Sequence, residues 1–158
     1  YEEIFIDKLK NKSLGLVLTN NDLSLHKIIN NFNITNYETC VFYNKISKSK
    51  VVQNFEQSLF NEVVNTTPKA ELISTFQGLT DWIKKNKIKE LIIPYETVGS
   101  KIVSTKEFLN NLGSIGVKYH FYLRDWDKVC FPFANKGFFP FKKKIPELLI
   151  KNGLRNIL

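Results

Sequence analysis

The sequence is poor in the residues that build metal sites and disulfide frameworks. It has two cysteines, Cys40 and Cys130, without a CxxC spacing, and two isolated histidines, His26 and His120. A zinc site or a disulfide framework needs more ligands at closer spacing. We therefore expect no metal site, and we interpret Cys40, which lies in the hydrophobic run 39–43, as a core residue.

Long apolar segments and methionine are also missing. No apolar run approaches the roughly 20 residues of a membrane span, and the start lacks the basic and apolar pattern of a signal peptide. With 43% hydrophobic and 24% charged residues in 158, the composition is typical of one globular domain, which we expect to be soluble and cytoplasmic. The lack of any methionine predicts a processed chain or a piece of a longer protein.

Arginine is scarce, and this changes the meaning of the net charge. The chain has 2 Arg against 21 Lys, together with 17 Asn, a bias that suggests an AT-rich genome. The net charge of +8 is therefore weak evidence for nucleic-acid binding, which needs basic residues clustered on one face. Only Lys142, Lys143 and Lys144 form a cluster.

Catalytic motifs are lacking as well. There is no GxSxG or GxxxxGK[ST], and the loop after the first strand has no GxGxxG glycines to let a dinucleotide pyrophosphate approach. Asp125 and Asp127 flank Trp126, and we interpret them as a turn or helix cap rather than as paired carboxylates. We predict no catalytic residue in this chain.

Short apolar runs alternate with helical patterns along the chain. We predict strands near residues 14–18, 39–43, 62–65, 90–94 and 118–123, and helices near 25–32, 55–60, 72–83 and 104–115. Ser24 or Asp22 is the expected N-cap of the first helix, Ser104 caps the last and Gly116 closes it. The alternation predicts an α/β fold, a five-stranded parallel Rossmann-like sheet with helices on both faces.

Ligands of such sheets bind where loops leave the carboxyl ends of the strands. Those loops are expected at residues 19–22, 44–50, 95–101 and 124–128. The loop 95–100 (YETVGS) supplies hydroxyls and a glycine, and it fits either a plain strand-to-helix turn or a ligand site.

The end of the chain is unusually aromatic. Five phenylalanines lie within residues 131–141, followed by the three lysines. Exposing so many rings to solvent in a loop would be costly, so we expect them either to fold back on their own domain or to pack on a missing domain. Stacking on nucleic-acid bases is a third interpretation. We divide the chain into a leader or linker (1–13), an α/β domain (14–128) and an aromatic and basic tail (129–158).

Two segments resemble one family, the DNA photolyases and cryptochromes. Residues 16–32 (LVLTNNDLSLHKIINNF) resemble its opening, where a first strand runs into an R-x-D-L-R-L-x-D-N loop and the first helix. Asp22, Leu23 and Leu25 match this pattern, while Asn20 and Ser24 stand in place of the two arginines.

The second segment, residues 124–149, is similar to the exit from the same domain. There the family has a D-x-x-L-F-P step and then Y-x-x-F-T-P-F-x-K on the way to the flavin domain. The comparable residues here are Asp127, Phe131, Pro132, Phe139, Pro140, Phe141 and Lys143. The resemblance covers roughly residues 14–146.

The resemblance implies an α/β domain that docks on a helical FAD-binding domain of the same protein. FAD would lie in that domain, absent from this chain, and the full-length protein would bind DNA and repair pyrimidine dimers, or serve photoreception, in light. This chain would not catalyse by itself, and it would contact no membrane. An antenna chromophore (a folate, flavin or deazaflavin) is a candidate ligand, and a homodimer through the aromatic tail is a candidate assembly. The candidate antenna-binding residues are Asn20, Asn21, Asp22, Thr97, Gly99 and Ser100.

Two other interpretations of the sequence stay open. The chain could be a free-standing Rossmann-like nucleotide-binding domain unconnected with light, or a structural docking module. Fold analogy alone does not separate them.

Overall fold

Five parallel strands form one sheet in the computed structural model, which describes residue 9 and residues 13–43, 49–96 and 106–153, with the backbone alone for 106–108. The strands are Leu14–Leu18 (β1), Tyr37–Phe42 (β2), Ala70–Ile73 (β3), Glu90–Pro94 (β4) and Lys118–Tyr122 (β5). Their order across the sheet is β3-β2-β1-β4-β5, and every pair of neighbours is parallel. The chain thus builds one half of the sheet outward from β1 and then crosses to the other side for β4 and β5.

Helices cover both faces of this sheet, as the alternation predicts. They are Leu25–Asn30 (α1), Lys50–Thr66 (α2), Phe76–Lys85 (α3) and Lys106–Ser114 (α4). Leu25, Ile29 and Phe60 of α1 and α2 share one hydrophobic cluster with Leu14, Leu16 and Leu18 of β1. Leu79, Trp82 and Leu112 of α3 and α4 share the other cluster with Val17, Leu91 and Ile93. The predicted fold class is confirmed.

β1 lies at the centre of both clusters. All five of its residues are buried, and alternate side chains enter opposite clusters because successive side chains of a strand point to opposite faces. Gly15 has to be small. A Cβ built on it would lie 2.9 Å from Ile88 Cδ1, 2.9 Å from Leu91 Cδ2 and 3.0 Å from Trp82 Cη2. α3 therefore packs unusually close to the backbone of β1.

The predicted third strand at residues 62–65 is wrong. Those residues belong to the last turns of α2, and the strand is Ala70–Ile73 instead. Val63 and Val64 favour a strand locally, but as part of a helix they pack with Phe60 against the cluster around β1. Pro68 follows the end of α2, and β3 then pairs with β2 at the edge of the sheet.

Other predicted bounds need smaller corrections. β2 begins at Tyr37, two residues before the predicted start, and α2 is far longer than the helix expected at 55–60. Leu72, expected on the helix that contains Trp82, lies in β3, because that helix begins at Phe76. Ser104, the expected cap of α4, lies outside the described residues.

The chain divides into two compact units, residues 1–122 and 123–158. The first contains the sheet and α1 to α4, and Leu9, from the predicted leader, is buried in the cluster with α1 and α2. The second is helical where it is described. It contains Asp125–Cys130 (α5), a 3-10 helix at Phe131–Lys136, Phe138–Lys142 (α6) and Ile145–Lys151 (α7). No helix in the described part of the chain has both the length and the apolar composition needed to cross a membrane.

Candidate functional site

The strand order creates one topological switch point, between β1 and β4. From β1 the chain proceeds to β2 on one side, whereas β4 pairs with β1 on the other side. The connections that leave the carboxyl ends of β1 and β4 therefore diverge to opposite faces of the sheet. Open α/β sheets bind ligands in the crevice between two such connections.

The connection after β1 is a tight turn fastened to the end of the strand. The Asp22 amide donates to the Thr19 carbonyl at 3.0 Å, and the Asn21 amide donates to Thr19 Oγ1 at 3.3 Å. Thr19 and Asp22 also form an isolated bridge, and both are buried. Asn21 is half-buried and Asn20 is exposed. The turn thus presents two amide side chains beside a buried carboxylate.

Asp22 organises the entry to α1. Its Oδ1 accepts hydrogen bonds from both the amide and the hydroxyl of Ser24, each at 2.7 Å. The side chain of Ser24, the residue before the helix, makes no cap hydrogen bond of its own. Of the two predicted caps, Asp22 therefore provides the polar contact that fixes the approach to the helix.

The second carboxylate oxygen of Asp22 is the atom of the turn best placed to accept a hydrogen bond from a ligand. Oδ2 is buried and accepts no hydrogen bond from any residue that the structure describes. A buried acceptor without a donor is costly, so an N–H or O–H group brought to it would be bound favourably. This oxygen is the strongest single indication that the turn after β1 can hold a ligand.

His26 lies in the first turn of α1, close enough for the charge of Asp22 to influence its pKa. Burial lowers the pKa of His26 below its ordinary value of 6.5, and the charge of Lys27 lowers it further. The backbone of Leu23 and the carboxylate of Asp22 act in the opposite direction but more weakly. The imidazole is therefore mostly neutral at pH 7 and adds no cation beside Asp22.

The connection after β4 begins with the half-buried Tyr95, whose amide donates to the Tyr122 carbonyl at 2.8 Å, and the buried Glu96. Thr97, Gly99 and Ser100 follow directly in the chain but lie outside the described residues. Of the six predicted site residues, the structure thus describes Asn20, Asn21 and Asp22. Glu96 is not among those six residues, although a carboxylate shortly after a buried strand is a usable signal.

The other polar residues singled out from the sequence have structural roles. Cys40 is fully buried, and burial, followed by the charge of Glu71, raises the pKa of its thiol well above 9.0. Asp125 and Asp127 lie in the first turn of α5, where Lys128 and Arg124 pair with them at 3.4 Å and 2.7 Å. The N-cap position of α5 is Arg124, so the two carboxylates lie inside the helix and not, as predicted, at its cap or in a turn. No group of three or more His, Cys, Asp or Glu side chains among the described residues could hold a metal ion.

The aromatic run in the second unit keeps much of its surface in solvent. Phe138 and Phe139 begin α6 with 65% and 76% of their surface exposed, and their rings meet edge to face with centroids 5.6 Å apart. Phe131 and Phe133 in the 3-10 helix are 39% and 36% exposed. An apolar patch of this kind on a short helical unit is typical of a surface that contacts another protein part.

The switch point therefore offers hydrogen-bond acceptors and amides, and its described turn has no glycine-rich phosphate loop. Such a set suits a ring or sugar that donates N–H or O–H groups better than it suits a pyrophosphate. No family model matches the chain, and a comparison with curated proteins gave no match either.

Proposed function

We propose that this chain is the α/β domain of a photolyase-like or cryptochrome-like flavoprotein and that it docks on a helical FAD-binding domain. The observation that carries the proposal is the exposure of Phe138 and Phe139, 65% and 76%, on the segment that follows the sheet domain. In the family that the sequence resembles, this segment leads to the flavin domain. The five-stranded parallel sheet is compatible with the family but is shared by many others.

The energetics of these two rings support docking. Burying one fully exposed phenylalanine side chain contributes about 1.5–3 kcal/mol. Because Phe138 and Phe139 are 65% and 76% exposed, together they offer about 2–4 kcal/mol to a surface that covers them. A second copy of this chain would be the competing partner, since the same patch could be self-complementary. The flavin domain is favoured because Phe139, one of the residues similar to the family, is the more exposed ring of the patch.

The switch point is the proposed place for an antenna chromophore. Folates, flavins and deazaflavins all carry ring N–H groups, and Asp22 Oδ2 is a buried acceptor for such a donor. Asn20 and Asn21 would contribute amides from the same turn, and Thr97, Gly99 and Ser100 would contribute from the connection after β4. A pyrophosphate-binding interpretation has less support, because residues 19–22 contain no glycine.

The chemistry belongs to the full-length protein. FAD in the helical domain would carry out light-driven repair of pyrimidine dimers or photoreception, and the full-length protein would bind DNA. This chain would contribute docking and light harvesting without catalysis of its own. We place the protein in the cytoplasm, in line with its composition.

The decisive experiment is to express the full-length reading frame and record its absorption spectrum and its blue-light repair of thymine dimers. We expect bound flavin, and we expect the isolated 158-residue chain to purify without it. A full-length product with no helical domain and no flavin would refute the proposal.

Docking is tested by Phe138→Ser with Phe139→Ser in the full-length protein. We expect a lower melting temperature and easier loss of flavin, because the interface loses its apolar anchors. The matched control is Phe55→Ser, which removes a phenylalanine that is 68% exposed on α2 of the other unit. Equal effects from both changes would count against docking through α6.

The antenna site is tested by titrating the isolated chain with a folate or a flavin and following absorbance. Asp22→Asn should weaken binding, because it replaces the charged acceptor while keeping the size of the side chain. If the affinity of this variant for the folate or flavin is unchanged, the chromophore does not bind at the turn after β1.

A further inference from the structure

The positive charge of this chain is concentrated in the smaller unit. Residues 123–158 contain eight Lys and Arg against three Asp and Glu, whereas residues 1–122 contain fifteen against twelve. The smaller unit therefore has a net charge of +5, out of +8 for the whole chain, in less than a quarter of the residues. A lysine bias that comes from base composition would raise the number of lysines in both units in proportion to their lengths. The local excess in the smaller unit therefore requires a separate reason.

The acidic residues of this unit leave several of its lysines without a counter-charge. All three carboxylates are engaged, in the pairs Arg124–Asp127 at 2.7 Å, Lys128–Asp125 at 3.4 Å and Lys144–Glu147 at 2.9 Å. Within the described part of the chain, no carboxylate oxygen lies within 4.0 Å of Lys136, Lys142 or Lys143. These exposed ammonium groups are free to neutralise phosphates and to release the counterions held by them.

A cavity of 310 Å³ opens in the same unit, with cationic, aromatic and amide groups in its walls. The lining residues are Pro132, Phe133, Asn135, Lys136, Pro140 and Lys144. Lys144 Nζ lies 5.9 Å from the centroid of the Phe133 ring, which is 36% exposed. The walls thus combine a ring face, an amide that can donate and accept, and two ammonium groups. Lys144 also pairs with Glu147 at 2.9 Å, but both side chains are exposed, so a phosphate can replace this carboxylate at little cost.

We propose that this cavity binds single-stranded nucleic acid, with one base against the Phe133 ring and backbone phosphates at Lys136 and Lys144. Base stacking on aromatic rings combined with a positively charged groove is the general mode of single-strand binding. The amide of Asn135 can meet either donors or acceptors on a base edge, so it adds little sequence preference. The volume lies at the small end of ligand pockets, which fits one nucleotide unit at a time.

An acidic peptide would satisfy the lysines but would leave the ring without a planar partner, and an uncharged aromatic ligand would leave the lysines unused. The combination of ring and cations is what favours a nucleic-acid strand over both. The proposal does not depend on the flavoprotein assignment, since it uses Phe133 and the lysines of the cavity and not the Phe138 and Phe139 patch.

The test uses the full 158-residue chain and fluorescently labelled oligothymidylate and oligouridylate of about 20 nucleotides, long enough to span a typical single-strand site. Fluorescence anisotropy between about 50 and 200 mM salt gives the affinity and its salt slope. We expect both single strands to bind and the matching duplex to bind more weakly, because paired bases cannot reach the ring.

Two sets of variants separate charge from stacking. Lys136→Ala with Lys144→Ala should reduce the slope of log affinity against log salt by about 1.4, since each phosphate contact to a single strand contributes about 0.7. Phe133→Leu should weaken binding about tenfold and leave the slope unchanged, because it removes the aromatic ring, including its contact with Lys144, but no charge. Lys84→Ala with Lys89→Ala is the charge-matched control in the other unit and should change the slope less than the cavity pair does.

Four results would overturn the assignment. If neither single strand binds at low salt, the cavity has no nucleic-acid function. If both lysine pairs reduce the slope equally, the attraction is diffuse and not located in the cavity. If the duplex binds as tightly as the single strands, or if Phe133→Leu binds like the parent chain, no base stacks on Phe133. Flavin content of the full-length protein is unaffected by any of these outcomes, so the two proposals fail separately.

Discussion

Gly15→Ala tests the closest contact in the core, the approach of α3 to the centre of β1. The added Cβ would lie 2.9–3.0 Å from three side-chain atoms, on Ile88, Leu91 and Trp82, and all three residues are at most 3% exposed. Since the two aliphatic ends can shift a little but the indole ring cannot, overpacking should cost about 1–3 kcal/mol. Alanine also lowers the conformational entropy of the unfolded chain, which stabilises the folded state by about 0.4–1 kcal/mol. The net expected loss is about 1–2 kcal/mol.

Urea unfolding followed by circular dichroism measures this loss, and a thermal scan should show a melting temperature lower by about 3–5 °C per kcal/mol for a domain of this size. Gly113→Ala is the matched control, because nothing lies within 4 Å of a Cβ at this helical position. That change should stabilise the protein by about 0.5–1 kcal/mol. Trp82→Phe should make Gly15→Ala less damaging, because it removes the ring atom nearest to the new methyl group.

A Gly15→Ala variant as stable as the parent chain would refute the close packing of α3 on β1. Equal losses for Gly15→Ala with and without Trp82→Phe would show that the indole ring is not the obstacle. The first result would require a wider spacing between the helix and the sheet than the structure has, and the second would leave Ile88 and Leu91 as the obstacles.

Two further predictions concern local features of the first unit. His26→Gln should flatten the pH dependence of stability. In the parent chain the folded-state pKa of His26 lies below 6.5, so the unfolded state takes up the proton first as the pH drops below about 7. The free energy of unfolding therefore falls with falling pH until the folded state is protonated as well. Urea titrations at several pH values measure the difference, and parallel pH profiles for the two proteins would contradict it. Thr75→Ala should lower stability by about 1 kcal/mol, because Thr75 Oγ1 accepts the Gly78 amide at 3.0 Å as the N-cap of α3. Thr75→Ser retains the acceptor and should lose much less, and an equal loss would show that the cap contributes nothing.

The central strands could be predicted from the sequence because their burial on both faces leaves an unbroken apolar run. β1 and β4 have the predicted bounds, and β5 ends one residue early. β3 could not be predicted in this way. Its residues Ala70, Glu71 and Leu72 favour a helix, and only Ile73 of the strand is buried, so pairing with β2 determines its conformation rather than any local pattern.

The candidate site was predictable in kind but not in detail. Polar residues after buried strands identified the connections after β1 and β4, and the strand order brings those two strands side by side. Local patterns do not encode strand order, so the sequence could not say which two of the four loops would be neighbours. Nor could it show that Asp22 binds Ser24 through one oxygen and leaves the other buried, since that depends on the geometry of the turn.

The position of β1 determines how this fold opens. β1 is paired on both sides and covered on both faces, so its amide protons reach solvent only when the whole unit unfolds. β3 lies at an edge with two of its four residues exposed, so its hydrogen bonds can break while the rest of the sheet persists. Amide exchange in β1 therefore measures the global free energy of unfolding, whereas exchange in β3 measures a local opening that requires less free energy. The turn that contains Asp22 begins directly after the last residue of β1, so a ligand bound there is attached to the part of the sheet that opens last.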